Sequence, residues 1–259
     1  IGTPALRHLD PFLMLDHFSS DNPDDYIAGF PDHPHRGFIT LTYMLDGHML
    51  HKDSMGSEGD LQSGGIQWMK AASGVIHSEM PQQTNGLMRG FQLWINLPAR
   101  EKMSLPAYQD FSKQAIPNIK TDAGGVKVIS GVYAGKSGPI EDPFTQIQYI
   151  DVSLRAGKSF HHDLAGELQG FVYLFEGDAD IAGTALSRHM LTVLADGDTL
   201  EITAGSGGAR FILVAGKPIG EPIVQYGPFV MNTEQEIRQA FADFRDGKLV
   251  REKATSGKA

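Results

Sequence analysis

The chain contains no cysteine among its 259 residues, and this absence removes several kinds of chemistry. Without thiols there is no disulfide framework, no thiolate metal site and no cysteine nucleophile. Cations are also scarce, because 22 Lys and Arg stand against 31 Asp and Glu, for a formal net charge of -9. Since nucleic-acid binding needs clustered cations that displace counterions, direct binding of DNA or RNA is not expected.

Long apolar stretches and several enzyme motifs are absent as well. No run approaches the roughly 18 residues of a membrane span, and no signal-peptide pattern opens the chain. We therefore expect a cytoplasmic protein that does not enter a membrane. The glycine-rich segment 205–208 lacks the G-K-[ST] ending of a phosphate loop and is interpreted as a hairpin turn. No Gly-x-Ser-x-Gly nucleophile motif occurs.

Short apolar runs that alternate with turn residues fill most of the chain. The run 38–45 reads F-I-T-L-T-Y-M-L, which is rich in β-branched and aromatic residues, and it ends at the turn-forming pair Asp46-Gly47. The other runs predicted as strands are 66–70, 91–97, 126–133, 146–154, 170–175, 190–194 and 209–215. Strands this frequent, with no long helices between them, indicate an antiparallel sandwich or barrel.

The end of the chain has a different pattern. The segment Thr233-Glu-Gln-Glu236 is a capping box, in which the Thr233 hydroxyl and the Glu236 side chain satisfy each other's backbone amides. Apolar residues then recur at helical spacing, at Ile237, Ala240, Phe241 and Phe244. We predict one amphipathic helix over 233–246 that docks on the β body, followed by a frayed tail over 254–259.

A short segment is repeated within the chain. Residues 42–47 read T-Y-M-L-D-G and residues 172–177 read V-Y-L-F-E-G. Each copy is followed by a glycine turn, at 63–66 and at 195–198. The repeat predicts two similar β units in tandem, with a boundary in the Pro/Lys/Gly-rich stretch 106–125, although a match this short also arises by chance.

Two short segments bring metal-binding residue types together. His33-Pro34-His35 precedes the first predicted strand, and His77-Ser78-Glu79 follows Gly74. Residues i and i+2 of an extended chain project to the same side, so the members of each pair point together. On neighbouring strands the two pairs would join three imidazoles and one carboxylate, a donor set that suits Fe, Mn, Ni, Cu or Zn. Either pair taken alone is more typical of solvated surface.

Longer motifs around these pairs resemble the pirin family of bicupin proteins. The motifs are P-F-L-M-L-D (11–16), G-F-P-D-H-P-H-R-G-F (29–38), T-Y-M-L-D-G (42–47), H-K-D-S-M-G (51–56), I-Q-W-M-K-A-A-S-G-V-I-H-S-E (66–79), F-Q-L-W-I-N-L-P (91–98) and G-E-P-I-V-Q-Y-G-P-F-V-M-N-T (220–233). The resemblance implies an all-β protein of two tandem cupin (jelly-roll) barrels with a C-terminal amphipathic helix. The expected domains are a metal-binding barrel over 1–115, a barrel without a metal site over 116–230, and the helix and tail over 231–259.

The resemblance also implies a mononuclear metal centre in the first barrel. It places the four ligands of the family on His33, His35, His77 and Glu79, the same set that the spacing suggests. The expected metal is Fe(II), with Mn, Ni, Co, Cu and Zn as alternatives. The chain departs from the family where a glutamate commonly follows the second histidine by four residues, because Ile39 stands there. We expect Ile39 to share the inward side with the histidines and to make the pocket less polar.

The second copy of the repeat carries no comparable donor set. His33 and His35 precede Gly47 of the first copy. At the same distances before Gly177 of the second copy, the residues are Asp163 and Ala165. His161 and His162 lie nearby, but adjacent residues of a strand point to opposite faces. The segment matched to the second ligand pair, 207–210, reads G-G-A-R. We therefore predict no metal in the second barrel.

Three further residues are candidates for binding substrate. Arg36 follows the histidine pair and could meet an anionic substrate near the metal, although such an arginine often pairs with a local acid such as Asp32. Gln92 and Trp94 share one face of a predicted strand. They line the pocket, with Gln92 as a polar anchor, or they belong to the core.

The resemblance implies a metal-dependent dioxygenase of the quercetin 2,3-dioxygenase type. Such an enzyme opens the heterocycle of a small aromatic flavonol with O₂, and Glu79 would then also act as the base for the flavonol hydroxyl. The alternative is a non-enzymatic, iron-dependent redox sensor that binds protein partners, either transcription factors or metabolic enzymes. Sugar isomerisation or another cupin chemistry is a third reading, because fold does not determine function.

Overall fold

The structure is a computed structural model that describes residues 1–195 and 197–251. The tail predicted to fray, 254–259, and Asp196 of the predicted glycine turn lie outside these described residues. Within them, no helix combines the length and the apolar character that crossing a bilayer requires.

The described chain consists mainly of short strands. The first strands are β1 (Phe12–Ser20), β2 (Phe30–His35), β3 (Phe38–Asp46), β4 (His48–Asp53), β5 (Glu58–Gln62), β6 (Ile66–Lys70), β7 (Val75–Pro81), β8 (Met88–Asn96) and β9 (Ala107–Phe111). The next are β10 (Asn118–Lys120), β11 (Gly124–Ser130), β12 (Val132–Tyr133), β13 (Lys136–Ser137), β14 (Gln148–Leu154), β15 (Ser159–Asp163), β16 (Gln169–Ile181), β17 (Thr184–Leu186), β18 (Met190–Val193) and β19 (Thr199–Gly216). The last elements are β20 (Val224–Tyr226), β21 (Phe229–Met231) and the helix α1 (Glu234–Arg245). Short 3-10 turns occupy Pro23–Asp25 and Ala99–Glu101.

The chain divides into two compact units. Unit 1 comprises Ile1–Lys113 and Ile219–Ala259, and unit 2 comprises Gln114–Pro218. Residues 219–230 therefore pack with unit 1, whereas the sequence assigned them to the second barrel. The reason is an apolar contact: Val230 of β21 packs into the cluster formed by Leu13, Phe38 and Trp94.

Unit 1 is built around two large antiparallel sheets, and β20 and β21 form a separate two-stranded sheet. The strand orders of the two large sheets are β1-β8-β3-β6-β9 and β2-β7-β4-β5. The two sheets face each other, because Gln92 on β8 donates a hydrogen bond to Glu79 on β7 at 3.2 Å. The space between the sheets is where the candidate site lies.

Unit 2 has a sheet in the order β10-β11-β14-β19-β16-β17, with β15 paired to β19 and β18 paired to β16. Its core is a cluster of apolar side chains that includes Phe160, Leu174, Ile202 and Phe211. Burial of this apolar area stabilises the unit.

The C-terminal helix confirms the prediction from its cap and spacing. Thr233 is the N-cap, and both hydrogen bonds of the capping box with Glu236 are present. Ile237 and Ala240 are buried in a cluster with Phe229 of β21, whereas Phe241 and Phe244 of the predicted apolar face remain partly exposed.

Candidate metal centre

Antiparallel pairing brings the two predicted ligand pairs together. On the β2–β7 ladder, His33 lies directly opposite His77, and β4 continues the sheet with His51 opposite Glu79. Residues directly opposite each other in a sheet have Cβ atoms about 5 Å apart. The side chains therefore converge because of strand register.

The three predicted histidine rings form a tight group. Ring centroids are 4.2 Å apart for His33 and His77, 4.8 Å for His33 and His35, and 5.0 Å for His35 and His77. One nitrogen from each of these rings lies within 4.8 Å of the others, and a second group of the same tightness consists of His51, His77 and Glu79. The four predicted residues are thus linked through His77, and a fifth residue, His51, joins them.

Hydrogen bonds leave one nitrogen of each ring free to bind a metal. Nδ1 of His33 donates to the carbonyl oxygen of Pro31 at 2.8 Å, and Nδ1 of His35 donates to that of Pro228 at 3.4 Å. A neutral imidazole with hydrogen on Nδ1 keeps its lone pair on Nε2. Nε2 of His77 is buried and has no hydrogen-bond partner in the described structure. An orphaned, buried imidazole nitrogen among two other such rings fits a metal ligand set.

The electrostatics of the group favour neutral rings. Burial, reinforced by the charge of His33, lowers the pKa of His35 to about 3. Burial also lowers the pKa of His77, and the neighbouring His35, His33 and His51 lower it further. Metal ions bind the neutral form of histidine, so these rings require no loss of a proton at neutral pH.

Glu79 is the buried acid of the group. Only 4% of the residue is exposed, and burial raises its pKa, while His51, His33 and the hydrogen bond from Gln92 oppose that rise. A carboxylate that is expensive to ionise in isolation is readily ionised beside a divalent cation. The residues present therefore fit a predicted donor set of three imidazoles and one carboxylate, whose negative charge a metal ion would balance.

Gln92 and Trp94 lie at this group. Trp94 Nε1 donates to Gln92 Oε1 at 3.1 Å, and Gln92 Nε2 donates in turn to Glu79 Oε2 at 3.2 Å. The Trp94 ring centroid is 5.2 Å from that of His35. The two side chains thus orient Glu79 and wall the group on one side. Their role toward substrate stays a prediction.

Arg36 does not occupy the position expected of a substrate contact. Its side chain is buried, and its guanidinium donates to Asp243 of α1 at 2.7 Å and to the backbone oxygen of Ser73 at 2.6 Å. The expectation that Arg36 binds an anionic substrate does not fit this arrangement, because its side chain is buried and directed toward Asp243. The alternative partner, Asp32, is not the one that it uses.

Ile39 points away from the group, contrary to expectation. It lies opposite Ile95 on β8, whereas Thr42 lies opposite Gln92. Since successive side chains of a strand alternate, Ile39 is on the face opposite that of Gln92 and Glu79. The alternation restarts between β2 and β3, because Gly37 adopts a positive φ of 92°. Ile39 therefore does not alter the polarity of the site.

His51 is the site residue that the sequence reasoning missed. It is buried, its Nε2 is 3.3 Å from Asp53 Oδ2, and its ring stacks on Tyr108 with centroids 4.5 Å apart. The signal was present, since His51 and Asp53 stand two residues apart within the motif H-K-D-S-M-G. In extended chain that spacing puts both side chains on one face.

An apolar cavity of about 330 Å³ lies in unit 1. Its lining includes Phe18, Phe30, Met49, Pro81 and Met88. Met49 and Pro81 come two residues from His51 and Glu79 on the same strands, and so share their side of the sheet. The volume is in the range of small-molecule pockets.

In unit 2 the neighbouring histidines diverge. His161 is exposed beside Glu201, whereas Nε2 of the half-buried His162 lies 2.8 Å from Gln148 Oε1. The partner of β15 is the 199–203 part of β19. The segment that lies where β7 lies in unit 1 is therefore 199–203, whereas the sequence matched 207–210 to the second ligand pair. The absence of a metal from this barrel stays a prediction.

A β unit with imidazole and carboxylate donors between its sheets, followed by a second β unit with an apolar core, defines the bicupin class. Comparison with known families agrees: the Pirin model matches residues 1–95, and the model of the Pirin C-terminal cupin domain matches residues 149–250. The chain belongs to the pirin family.

Individual relatives cover almost the whole chain. It is 49% identical over 251 residues to a pirin-like protein of Caulobacter vibrioides, covering 96% of this chain and 91% of the relative. It is 39% identical over 265 residues to pirin of Homo sapiens, covering 100% and 89%. Among solved structures it resembles a quercetin 2,3-dioxygenase from Acinetobacter baumannii, with a TM-score of 0.88 and 34% identity over 95% of this chain and 88% of that one. The predictions of the pirin family and of two cupin units are confirmed.

Proposed function

We propose that this chain is an iron-dependent dioxygenase of the quercetin 2,3-dioxygenase type, acting on a flavonol and O₂. The observation that carries the proposal is the group of His33, His35 and His77, whose ligand nitrogens lie within 4.8 Å of one another and which His77 links to the buried Glu79. Nε2 of His77 is buried and has no hydrogen-bond partner in the described residues. The likeness to a solved quercetin 2,3-dioxygenase at 34% identity supports the reaction class. Imidazole with a single carboxylate suits iron among the first-row metals.

His33, His35 and His77 would hold the metal through Nε2, and Glu79 would hold it through one carboxylate oxygen. A bound ion would supply Lewis-acid polarisation of the flavonol oxygens. The remaining work falls to side chains of this chain. Glu79 would accept the proton of the 3-hydroxyl through its carboxylate, which lies beside the ligand histidines.

Gln92 and the apolar cavity would position the reactants. Gln92 donates to Glu79 Oε2, which fixes the plane of the carboxylate, and Trp94 holds Gln92 from the other end. The lining of Phe18, Met49 and Met88 offers an aromatic ring an apolar surface and excludes water from it.

The test is a reconstitution with Fe(II) under anaerobic conditions, followed by quercetin and air. We expect the near-visible absorbance of quercetin to fall and one CO to be released for each molecule consumed. Glu79→Gln should slow turnover by about 10²- to 10⁴-fold, the usual contribution of a general base. Iron content is measured in parallel, so that loss of metal is separated from loss of the base.

Two results would contradict the proposal. Absence of turnover with Fe, Mn, Ni, Co and Cu would rule out the flavonol reaction. Turnover by Glu79→Gln at the wild-type rate, with iron retained, would remove only the proposed role of Glu79. A matched control is Glu201→Gln, which changes an exposed glutamate on β19 of unit 2 and should leave the rate unchanged.

A further inference from the structure

Two buried ring nitrogens face each other beside the metal centre. Nδ1 of His51 lies 3.4 Å from Nδ1 of His77, and each residue is about 1% exposed. At that separation one nitrogen must carry hydrogen and the other a lone pair, because two donors or two acceptors would repel. The direction of this hydrogen bond decides which nitrogen of His77 is left for a metal.

Asp53 sets that direction. Its Oδ1 accepts hydrogen bonds from the backbone amides of Met55 at 2.8 Å and Ser57 at 3.0 Å, so the carboxylate is fixed in place. Its Oδ2 lies 3.3 Å from Nε2 of His51, and the side chain is fully buried. Since an ionised carboxylate only accepts, Nε2 of His51 donates and its Nδ1 is left with the lone pair.

His77 must then donate through Nδ1 and keep its lone pair on Nε2. That Nε2 is the buried nitrogen without a hydrogen-bond partner. The ring of His51 is held in the required plane by stacking on Tyr108 at 16° between planes, and the Tyr108 hydroxyl accepts from Gln67 at 3.1 Å. Nε2 of His77 is then the nitrogen of the two rings that remains available to bind an ion.

We propose that Asp53 and His51 are positioning residues that hold His77 in the Nδ1–H tautomer and so present its Nε2 to the metal. The inference rests on the proposed metal centre. His33 and His35 have the same tautomer imposed by backbone carbonyls, whereas His77 depends on side chains. A mutation of Asp53, which does not contact the ion, should therefore change which nitrogen of His77 is available to the metal.

Four single substitutions test the chain of hydrogen bonds. Asp53→Asn keeps the oxygen that meets the two amides but turns an NH₂ group toward His51, which reverses the tautomer of His51 and opposes two N–H groups. His51→Phe keeps an aromatic ring against Tyr108 but removes the acceptor. His51→Asn restores an acceptor at the position of Nδ1. Asp60→Asn is the matched control, because Asp60 pairs with the surface residue His48.

The probe is Ni(II) alone, titrated into metal-free protein, with ¹⁵N shifts of the histidine rings recorded before metal is added. Asp53→Asn and His51→Phe should weaken binding by roughly 10- to 100-fold, the effect typical of partners that orient a ligand. The affinity of His51→Asn and Asp60→Asn for Ni(II) should stay within about threefold of the wild type, which is a smaller loss than that 10- to 100-fold weakening. In the wild type the shifts should show hydrogen on Nδ1 of His77, and in Asp53→Asn they should not.

The outcomes separate this inference from the proposed function. Wild-type affinity in both Asp53→Asn and His51→Phe, or a loss in His51→Asn as large as in His51→Phe, would overturn the hydrogen-bond chain. Hydrogen on Nε2 of His77 in the metal-free wild type would overturn it as well. Failure of the wild type to bind Ni(II) would contradict the metal centre, while the ring shifts would still decide the tautomer.

Discussion

The two β units use similar ladders to enclose different interiors. In unit 1 the β2–β7 ladder sets His33 against His77, and in unit 2 the β15–β19 ladder sets Phe160 against Ile202. The apolar pair stabilises its unit by about 1.5–3 kcal/mol for each buried side chain. The histidine pair gains less from burial, because a polar group without a partner is costly to bury.

The difference shows that the metal centre depends on a few side chains and not on the fold. Each unit offers antiparallel strands with alternating side chains, and the residues at the paired positions differ. In the described residues, both clusters of three or more candidate ligands lie in unit 1. A cupin barrel is therefore a scaffold to which a metal site is added or from which it is removed.

The largest expected effect comes from deleting a donor in unit 1. His77→Ala should abolish binding of metal and with it flavonol turnover, because His77 belongs to both ligand clusters. Replacing His161 and His162 together should leave metal content near one ion per chain. Metal analysis of purified protein measures both. A halved content in the double variant would mean that unit 2 also binds an ion and would break the comparison.

A smaller effect is expected from the helix that supports the donors. Arg36 follows His35 directly and pairs with Asp243 of α1 at 2.7 Å, with both side chains largely buried. Asp243→Asn should destabilise unit 1 by about 3–5 kcal/mol, because it leaves a buried cation without its counter-charge. Urea unfolding measures the loss. Glu234→Gln, which breaks an exposed pair with Arg238 on the same helix, should cost no more than about 0.5 kcal/mol. Equal losses in the two variants would contradict the argument.

A last effect concerns the pH dependence of stability, which a buried lysine of unit 1 sets. Nζ of Lys102 donates to Asn96 Oδ1 at 2.6 Å and to the backbone oxygens of Gly37 at 2.7 Å and Val230 at 3.0 Å. Burial lowers its pKa from 10.5 to about 7, against the opposing charges of Glu221 and Glu236. Between these values the unfolded chain holds a proton that the native chain lacks, so stability rises with pH.

Comparison with Lys102→Met isolates this contribution. The stability of the wild type relative to the variant should increase as pH rises from about 7 toward 10.5, and it should be constant below pH 7, where both states are protonated. Thermal unfolding at a series of pH values measures the difference. A constant difference across the whole range would mean that the lysine stays charged in the native state.

Local patterns predicted the regular elements with the clearest signals. The run 66–70 is β6, and the helix begins after Thr233 as its capping box required. The run 126–133 is divided, because Gly131 adopts a positive φ of 81° between β11 and β12. Strands such as β4 and β5 were missed, since their alternation of polar and buried residues is short and contains charged side chains.

The ligand pairs were predictable because the i, i+2 geometry of a strand is local. The partner of Arg36 was not, since Asp243 is distant in sequence and reaches it only when α1 docks. The inclusion of His51 also depended on register, because nothing near His51 in the sequence says that β4 will lie against β7. The face of Ile39 depended on one backbone angle at Gly37.

The sequence by itself determined which side chains share one face of a strand, where the helix starts, and which copy of the repeat contains the paired histidine and glutamate residues. Backbone stereochemistry makes these properties local, so that they follow from spacing and residue type. Only the tertiary structure decided that the two pairs meet at His77 and that Arg36 binds Asp243 of the helix. It also decided that His51 contacts both His77 and Asp53. The contacts to His77 and to Asp243 join residues far apart along the chain, and their geometry comes from the packing of sheets rather than from any short segment.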